Sequence, residues 1–153
     1  MTASGQRSDR PTPAAGDSVP PLERTITLPS MIAYAGATWD WHRLHYDPKF
    51  VAANGLPGPV VDGQVFGALL VETVQDWAGP ECFVQTLHFS FKSLVFADET
   101  VRCEGIVTQV GDGWLTLALS VGVINADGTA GRPAVERAGA RVLLGAADGP
   151  GAR

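Results

Sequence analysis

Gly63-Gln-Val-Phe-Gly-Ala-Leu-Leu-Val-Glu-Thr-Val-Gln-Asp-Trp77 is the stretch on which the fold turns. Its apolar residues, Val65, Phe66, Ala68, Leu69, Leu70, Val71, Val74 and Trp77, cover most of the circumference of a helix. Such a helix has little polar surface to offer water, so the pattern predicts burial nearly all round. Glu72 and Asp76 hold its few polar positions and are expected to meet solvent or a partner chain. Ala78-Gly79-Pro80 ends it, because glycine suits the C-terminal turn and proline cannot extend the helix.

Four strand signals follow. In residues 82–91, Phe83, Leu87, Phe89 and Phe91 fall on one face, with Val84, Thr86, His88 and Ser90 on the other. Residues 101–110 are rich in valine and threonine. Gly111-Asp-Gly113 then reads as a hairpin turn. In residues 114–124, Leu115, Leu117, Leu119, Val121 and Val123 recur with period two. After the turn Asn125-Ala-Asp-Gly128, residues 135–144 supply the last strand.

On the N-terminal side, Arg24-Thr-Ile-Thr-Leu28 reads as a short strand, and Ser30 as the N-cap of a short helix over 31–37. Residues 38–62 are irregular and dense in turn formers, with one helical turn expected over 48–53, Asp47 as its cap and Pro48 first. One long apolar helix needs a wrapping, and an antiparallel meander can curve to supply it. The expected class is α+β: a hot-dog fold, a curved antiparallel sheet wrapped around one long buried helix. Residues 22–146 form this domain. Residues 1–21, rich in Pro, Ser, Ala and Gly, read as a disordered extension without a secretory signal, and 147–153 as a disordered tail.

Composition removes several classes of function. The 153 residues carry a net charge of −5, and the 11 basic residues are scattered, which disfavours nucleic acid. No apolar run approaches the roughly 20 residues that span a bilayer. Cys82 and Cys103 lack metal-ligand spacing; two buried, reduced thiols in a cytoplasmic protein is the expectation, with no metal.

Asp40 and His45 are five residues apart, about 140° around an α-helix, so they meet only if the chain between them is not helical. They stand in the string Tyr34-Ala-Gly-Ala-Thr-Trp-Asp-Trp-His-Arg-Leu-His-Tyr-Asp47, which runs on to Gly55-Leu-Pro-Gly-Pro-Val-Val-Asp-Gly63. This resembles the signature of the MaoC-like, (R)-specific enoyl-CoA hydratase/dehydratase family: an Asp, four residues, a His, one residue, an Asp, then His-Gly at the start of the central helix. Asp40, His45 and Asp47 fall on that pattern and Gly63 on its glycine, within a resemblance that runs over roughly residues 30–144. Gln75-Asp-Trp-Ala-Gly-Pro80, Leu87-His-Phe-Ser-Phe91 and residues 100–108 further resemble the small single-hot-dog subunit of actinobacterial steroid side-chain enoyl-CoA hydratases, which works beside a second hot-dog chain. Three departures stand out. His42-Arg43 replaces the usual Asn-Pro, Asp62 replaces the histidine before Gly63, and the stretch after Asp47 is proline-rich.

The resemblance implies reversible hydration of a 2-enoyl thioester, with Asp40 and His45 as an acid–base pair on one water. A carboxylate and an imidazole suit that work if their protonation states do, and burial beside Trp39, Trp41 and Leu44 is expected to favour the protonated carboxyl. Gly63, opening the helix, is expected to offer its N–H to the thioester oxygen. His42, Asp62, Trp41 and Gln64 are the expected substrate contacts, although a helix cap is the favoured reading of Asp62 and a loop histidine the commoner reading of His42. Asp47 reads as a cap. Trp39, Trp41 and Trp77 read as core or pocket lining, and His88 as structural or interfacial. Arg43, Lys49 and Lys92 are candidates for coenzyme A phosphates, with plain solvation as the default.

No cofactor is implied beyond the coenzyme A or carrier-protein thioester of the substrate, and an acidic chain mildly favours coenzyme A over an acidic carrier. The acyl group is left open among a steroid side chain, a polyketide and a short branched acid. Two other readings compete: a hot-dog acyl-thioester hydrolase using Glu72, and a non-catalytic subunit completing a partner's acyl tunnel. One hot-dog unit leaves surface to cover, so a homodimer, or a heteromer with a second hot-dog chain, is expected.

Overall fold

The structure, a computed structural model, describes residues 12–145. β1 (Ser18–Thr25) leads to α1 (Leu28–Thr38), a single 3-10 turn (Arg43–His45), α2 (Pro48–Ala53) and the long α3 (Gln64–Ala78). Then come β2 (Phe83–Phe91), β3 (Thr100–Gly111), β4 (Trp114–Ile124), the short β5 (Ala130–Pro133) and β6 (Val135–Leu143). The strands form one antiparallel sheet in the order β1-β3-β4-β6-β2, with β5 beside β4. The sheet curves so that β1, β2, β3 and β4 all touch α3. This is the hot-dog arrangement that the helix-then-meander pattern predicts.

The alternating strands behave as their period requires. Leu115, Leu117, Leu119, Val121 and Val123 of β4 all point into the core, against Val101, Cys103 and Val107 of β3 and Leu70 and Val74 of α3. Gly113, at φ 72°, takes the left-handed position of the Asp112–Gly113 hairpin turn. Cys82 and Cys103 are both buried, and burial pushes the Cys103 thiol up to about 11. Among the described residues no helix is long and apolar enough to cross a membrane.

The expectations are corrected in five places. The extension assigned to 1–21 is ordered from Ser18, since Val19 is buried and pairs with Gly105 of β3. Pro20 and Pro21 are tolerated because they lie at a bulge between Val19 and Leu22 on an edge strand, where few ladder donors are needed. The strand expected over 24–28 therefore starts earlier and stops at Thr25. Second, Thr27 rather than Ser30 caps α1: the Thr27 hydroxyl accepts from the Ser30 N–H at 3.3 Å. Third, α3 is not buried all round. Phe66, Leu69, Leu70, Thr73 and Val74 are buried, while Gln64, Ala68, Gln75 and Asp76 form an exposed face that the sheet does not reach. Fourth, β2 lies at the sheet edge, so Phe83 and Phe91 are exposed while Val84, Leu87 and Phe89 pack on the core. Fifth, β5 was not expected; Ala130 and Pro133 pair with Ile124 and Gly122. The N-terminal residues before 12 and the expected tail at 147–153 lie outside the described residues.

Candidate active site

Asp40 and His45 come together because the chain leaves the helix between them. α1 ends at Thr38, and Trp39 takes a left-handed conformation (φ 61°) as its C-cap. The following 3-10 turn is closed by His42, whose Nδ1 accepts from the Leu44 N–H at 3.2 Å, and by the Asp40 carboxylate, which accepts from the His42 N–H at 3.1 Å. His45 is held more firmly. Its Nδ1 lies 2.7 Å from the Val60 carbonyl, and only 14% of its side chain is exposed. A histidine that donates from Nδ1 to a carbonyl leaves Nε2 with its lone pair outward.

That Nε2 is 3.9 Å from the Asp40 Oδ2. The gap is too long for a direct hydrogen bond and suits a bridging water. Both groups line a small cavity of about 10 Å³, close to the space that one water needs. Met31, Tyr34 and Ala35 of α1, with Asp62 and Val65, complete its lining. Val60 and Val61 are fixed in turn by backbone bonds from Val60 N–H to the Leu44 carbonyl (3.0 Å) and from Val61 N–H to the Val95 carbonyl (2.8 Å).

Asp62 both caps a helix and lines the cavity. Its Oδ1 accepts from the Gln64 N–H at 2.9 Å, capping the first turn of α3 from one residue outside the N-cap, Gly63. It also lines the cavity, and Asp40, His45 and Asp62 bring three donor atoms within 4.8 Å of one another. Spacing in the sequence keeps these three apart, so the expectation of no metal ligands rested on a pattern that the fold rearranges. They are the residues that could hold a cation here.

Gly63 itself is helical (φ −61°, ψ −23°), so its backbone does not demand glycine. Space does: a Cβ there would fall 2.4 Å from the Phe91 ring of β2. Its N–H donates to no protein acceptor among the described residues, which leaves it available at the helix start. Gln64 faces an open groove of about 550 Å³ between α3 and β2.

The other expected site residues fall elsewhere. Trp41 is exposed and packs edge-on against Trp39 and Tyr46, not on the cavity. Trp39 is 80% exposed, and Asp40's own side chain is 48% exposed, so the burial expected around that carboxylate is absent from the single chain. The physical reason is local: the left-handed cap swings both indoles away from the sheet. His42 stands edge-on to His45 at 6.2 Å but is engaged in its cap. Asp47 is the N-cap of α2, accepting from the Lys49 and Phe50 N–H groups, and a two-nitrogen contact from Arg43 holds its carboxyl below the usual carboxylate range. That contact ties up Arg43, while Lys92 pairs with Glu136 at 3.0 Å. Glu72 pairs with Arg24 and lines the groove, away from His45.

Tyr34 is the residue that sequence reasoning passed over. It lines the cavity, and its phenol is pushed above its ordinary range by burial and then by the negative charge of Asp62. The signal was present, since Met31, Tyr34 and Ala35 share one helix face at spacings of three and four.

A profile of the family described as MaoC like domain matches residues 12–112. The chain belongs to this family. A relative from Mycobacterium tuberculosis, 3-oxo-4,17-pregnadiene-20-carboxyl-CoA hydratase beta subunit, is 30% identical over 87 residues, covering 57% of this chain and 67% of the relative. Among solved structures, the ChsH1-ChsH2 complex from the same organism aligns with a TM-score of 0.74 at 26% identity, over 87% of this chain and 99% of that one. The (R)-hydratase from A. caviae involved in PHA biosynthesis aligns with a TM-score of 0.77 at 25% identity, over 87% and 98%. The MaoC-like chain therefore shares the hot-dog fold of these structures.

Proposed function

We propose that this MaoC-like protein reversibly hydrates a 2-enoyl thioester, an enoyl-CoA, to the 3-hydroxyacyl thioester. The observation that carries the reading is the 3.9 Å separation of Asp40 Oδ2 and His45 Nε2 beside a cavity of water size. A water held there has an acceptor on each side. As its oxygen bonds to the β-carbon, one O–H bond breaks, the enoyl π electrons move toward the thioester oxygen, and the proton is delivered to the α-carbon. The sum is one water added, with no redox change. Asp40 and His45 take and return that proton between them. The Gly63 N–H at the start of α3 is suited to receive the thioester oxygen as charge builds there. Asp62 and Gln64 border the substrate path, and coenzyme A is favoured over an acidic carrier by the net charge of −5.

The working unit in this reading has two hot-dog chains, either two copies or this chain beside a second hot-dog protein. The open edge of β2 with its exposed Phe83 and Phe91 supports it, since apolar surface of that kind is covered in assemblies. Light scattering on the purified chain tests self-association.

Asp40→Asn and His45→Gln are each expected to slow crotonyl-CoA hydration by about 100- to 10,000-fold, the usual weight of one acid–base group. Full retention of rate in either folded variant overturns the assignment. A wild-type chain that binds acyl-CoA but hydrates none, alone or paired with a hot-dog partner, supports the non-catalytic subunit instead.

A further inference from the structure

Tyr34 lines both the small cavity shared by Asp40 and His45 and the open groove between α3 and β2. Among the described residues no other lines both. Ala68, Val71, Leu87 and Phe89 give the groove an apolar lining, and none of its lining residues is a Lys, Arg or His. A diphosphate finds no cationic partner on such a lining and an acyl chain needs none, so the groove suits the acyl end of a thioester and the coenzyme A head leaves by another side.

We propose that Tyr34 is the specificity-determining neck of this site, its ring limiting the width of the acyl chain just beyond the reacting double bond. The inference rests on the hydratase reading for which atoms lie in the cavity. From a water on Asp40 and His45, a chain that runs into the groove passes Tyr34 first. A branch at the γ-carbon meets the ring at that point, whereas a straight chain slips by. Burial and the charge of Asp62 both oppose ionisation of the phenol, which keeps the neck uncharged and compatible with an apolar chain.

The test compares wild type, Tyr34→Phe and Tyr34→Ala on 2-pentenoyl-CoA and 4-methyl-2-pentenoyl-CoA, which differ by one methyl at the γ-carbon, reading kcat/KM. In parallel, calorimetry reads binding of the saturated esters, pentanoyl-CoA and 4-methylpentanoyl-CoA. One methyl group in a shaped apolar site is worth about 10- to 200-fold, so Tyr34→Ala is expected to raise the branched-to-straight ratio at least about tenfold in both measurements, with Tyr34→Phe within about threefold of wild type. Tyr34→Leu replaces the alanine variant if that one does not fold. An unchanged ratio in the folded small-residue variant, or an equal shift in Tyr34→Phe, overturns the proposal. The two readings fail separately. Turnover with an unchanged ratio sinks the neck and leaves the hydratase standing. A shifted binding ratio without turnover sinks the hydratase and leaves the neck.

Discussion

The sheet with the inner face of α3, and the segment from Trp39 to Gly63, are built on opposite terms. In the first, Leu70, Leu115 and Val142 are fully buried, and each residue is held by many apolar neighbours. In the second, Asp40, Trp39 and Trp41 are exposed, and a handful of hydrogen bonds sets the geometry: His45 to Val60, His42 to Leu44, Asp62 to Gln64. The first region supplies stability, and its one buried polar side chain among the described residues, Thr73, is satisfied by the Leu69 carbonyl. The second places reactive groups at the price of leaving them half open, and its wall on one side is α1 alone. His45 is the join, since its ring is mostly covered while its Nε2 faces the exposed carboxylate of Asp40.

That contrast breaks first if stability and activity fail to separate. Leu70→Ala is expected to cost about 2–5 kcal/mol, read as a lowered denaturation midpoint. Asp40→Asn, at an exposed position, is expected to change stability by no more than about 0.5 kcal/mol while abolishing most turnover. A large stability loss in Asp40→Asn makes the two regions one. A smaller effect sharpens the contact between them: Gly63→Ala sets a methyl against the Phe91 ring and is expected to cost about 1 kcal/mol, because that ring is exposed and can shift. Phe91→Ala in the same chain is expected to restore most of that loss, and simple additivity rules out the clash.

Asp47 tests the local scaffolding by pH. Its native carboxyl titrates below the ordinary range because Arg43 and the α2 N–H groups favour the charged form. The folded state thus binds its proton less readily than the unfolded chain does. Its contribution is present above the unfolded value near pH 4 and is lost as pH falls through the lower native value. Asp47→Ala is therefore expected to be less stable than wild type at neutral pH, with the difference closing under acid; a constant difference refutes the charge contribution. The smallest effect belongs to the exposed Arg24–Glu72 pair, whose double-mutant coupling is expected below about 1 kcal/mol and to fade with salt.

Much of this was legible beforehand. A period-two run locates β4, because alternate residues of a half-buried strand must be apolar, while valine and threonine content marks β3 and the preceding turn marks β6. Asp47-Pro48 announces the start of α2 through cap chemistry alone. Two of the features that escaped show why. Val19 lies in a stretch whose prolines look disordered, and only its pairing across β3 makes it a strand. The tryptophans flanking Asp40 look like core by composition, yet a left-handed residue at Trp39 turns them outward, and local propensity gives no warning of it in a bulky residue.

Sequence alone determined the class: one long apolar helix, a meander around it, and an Asp–His–Gly spacing that names the family, because periodicity and motif are properties of the chain itself. Tertiary structure decided the rest. Which face of α3 stays open depends on how far the sheet curls, and that Tyr34 and Asp62 share a cavity with Asp40 and His45 depends on three distant segments packing together, which no spacing along the chain encodes.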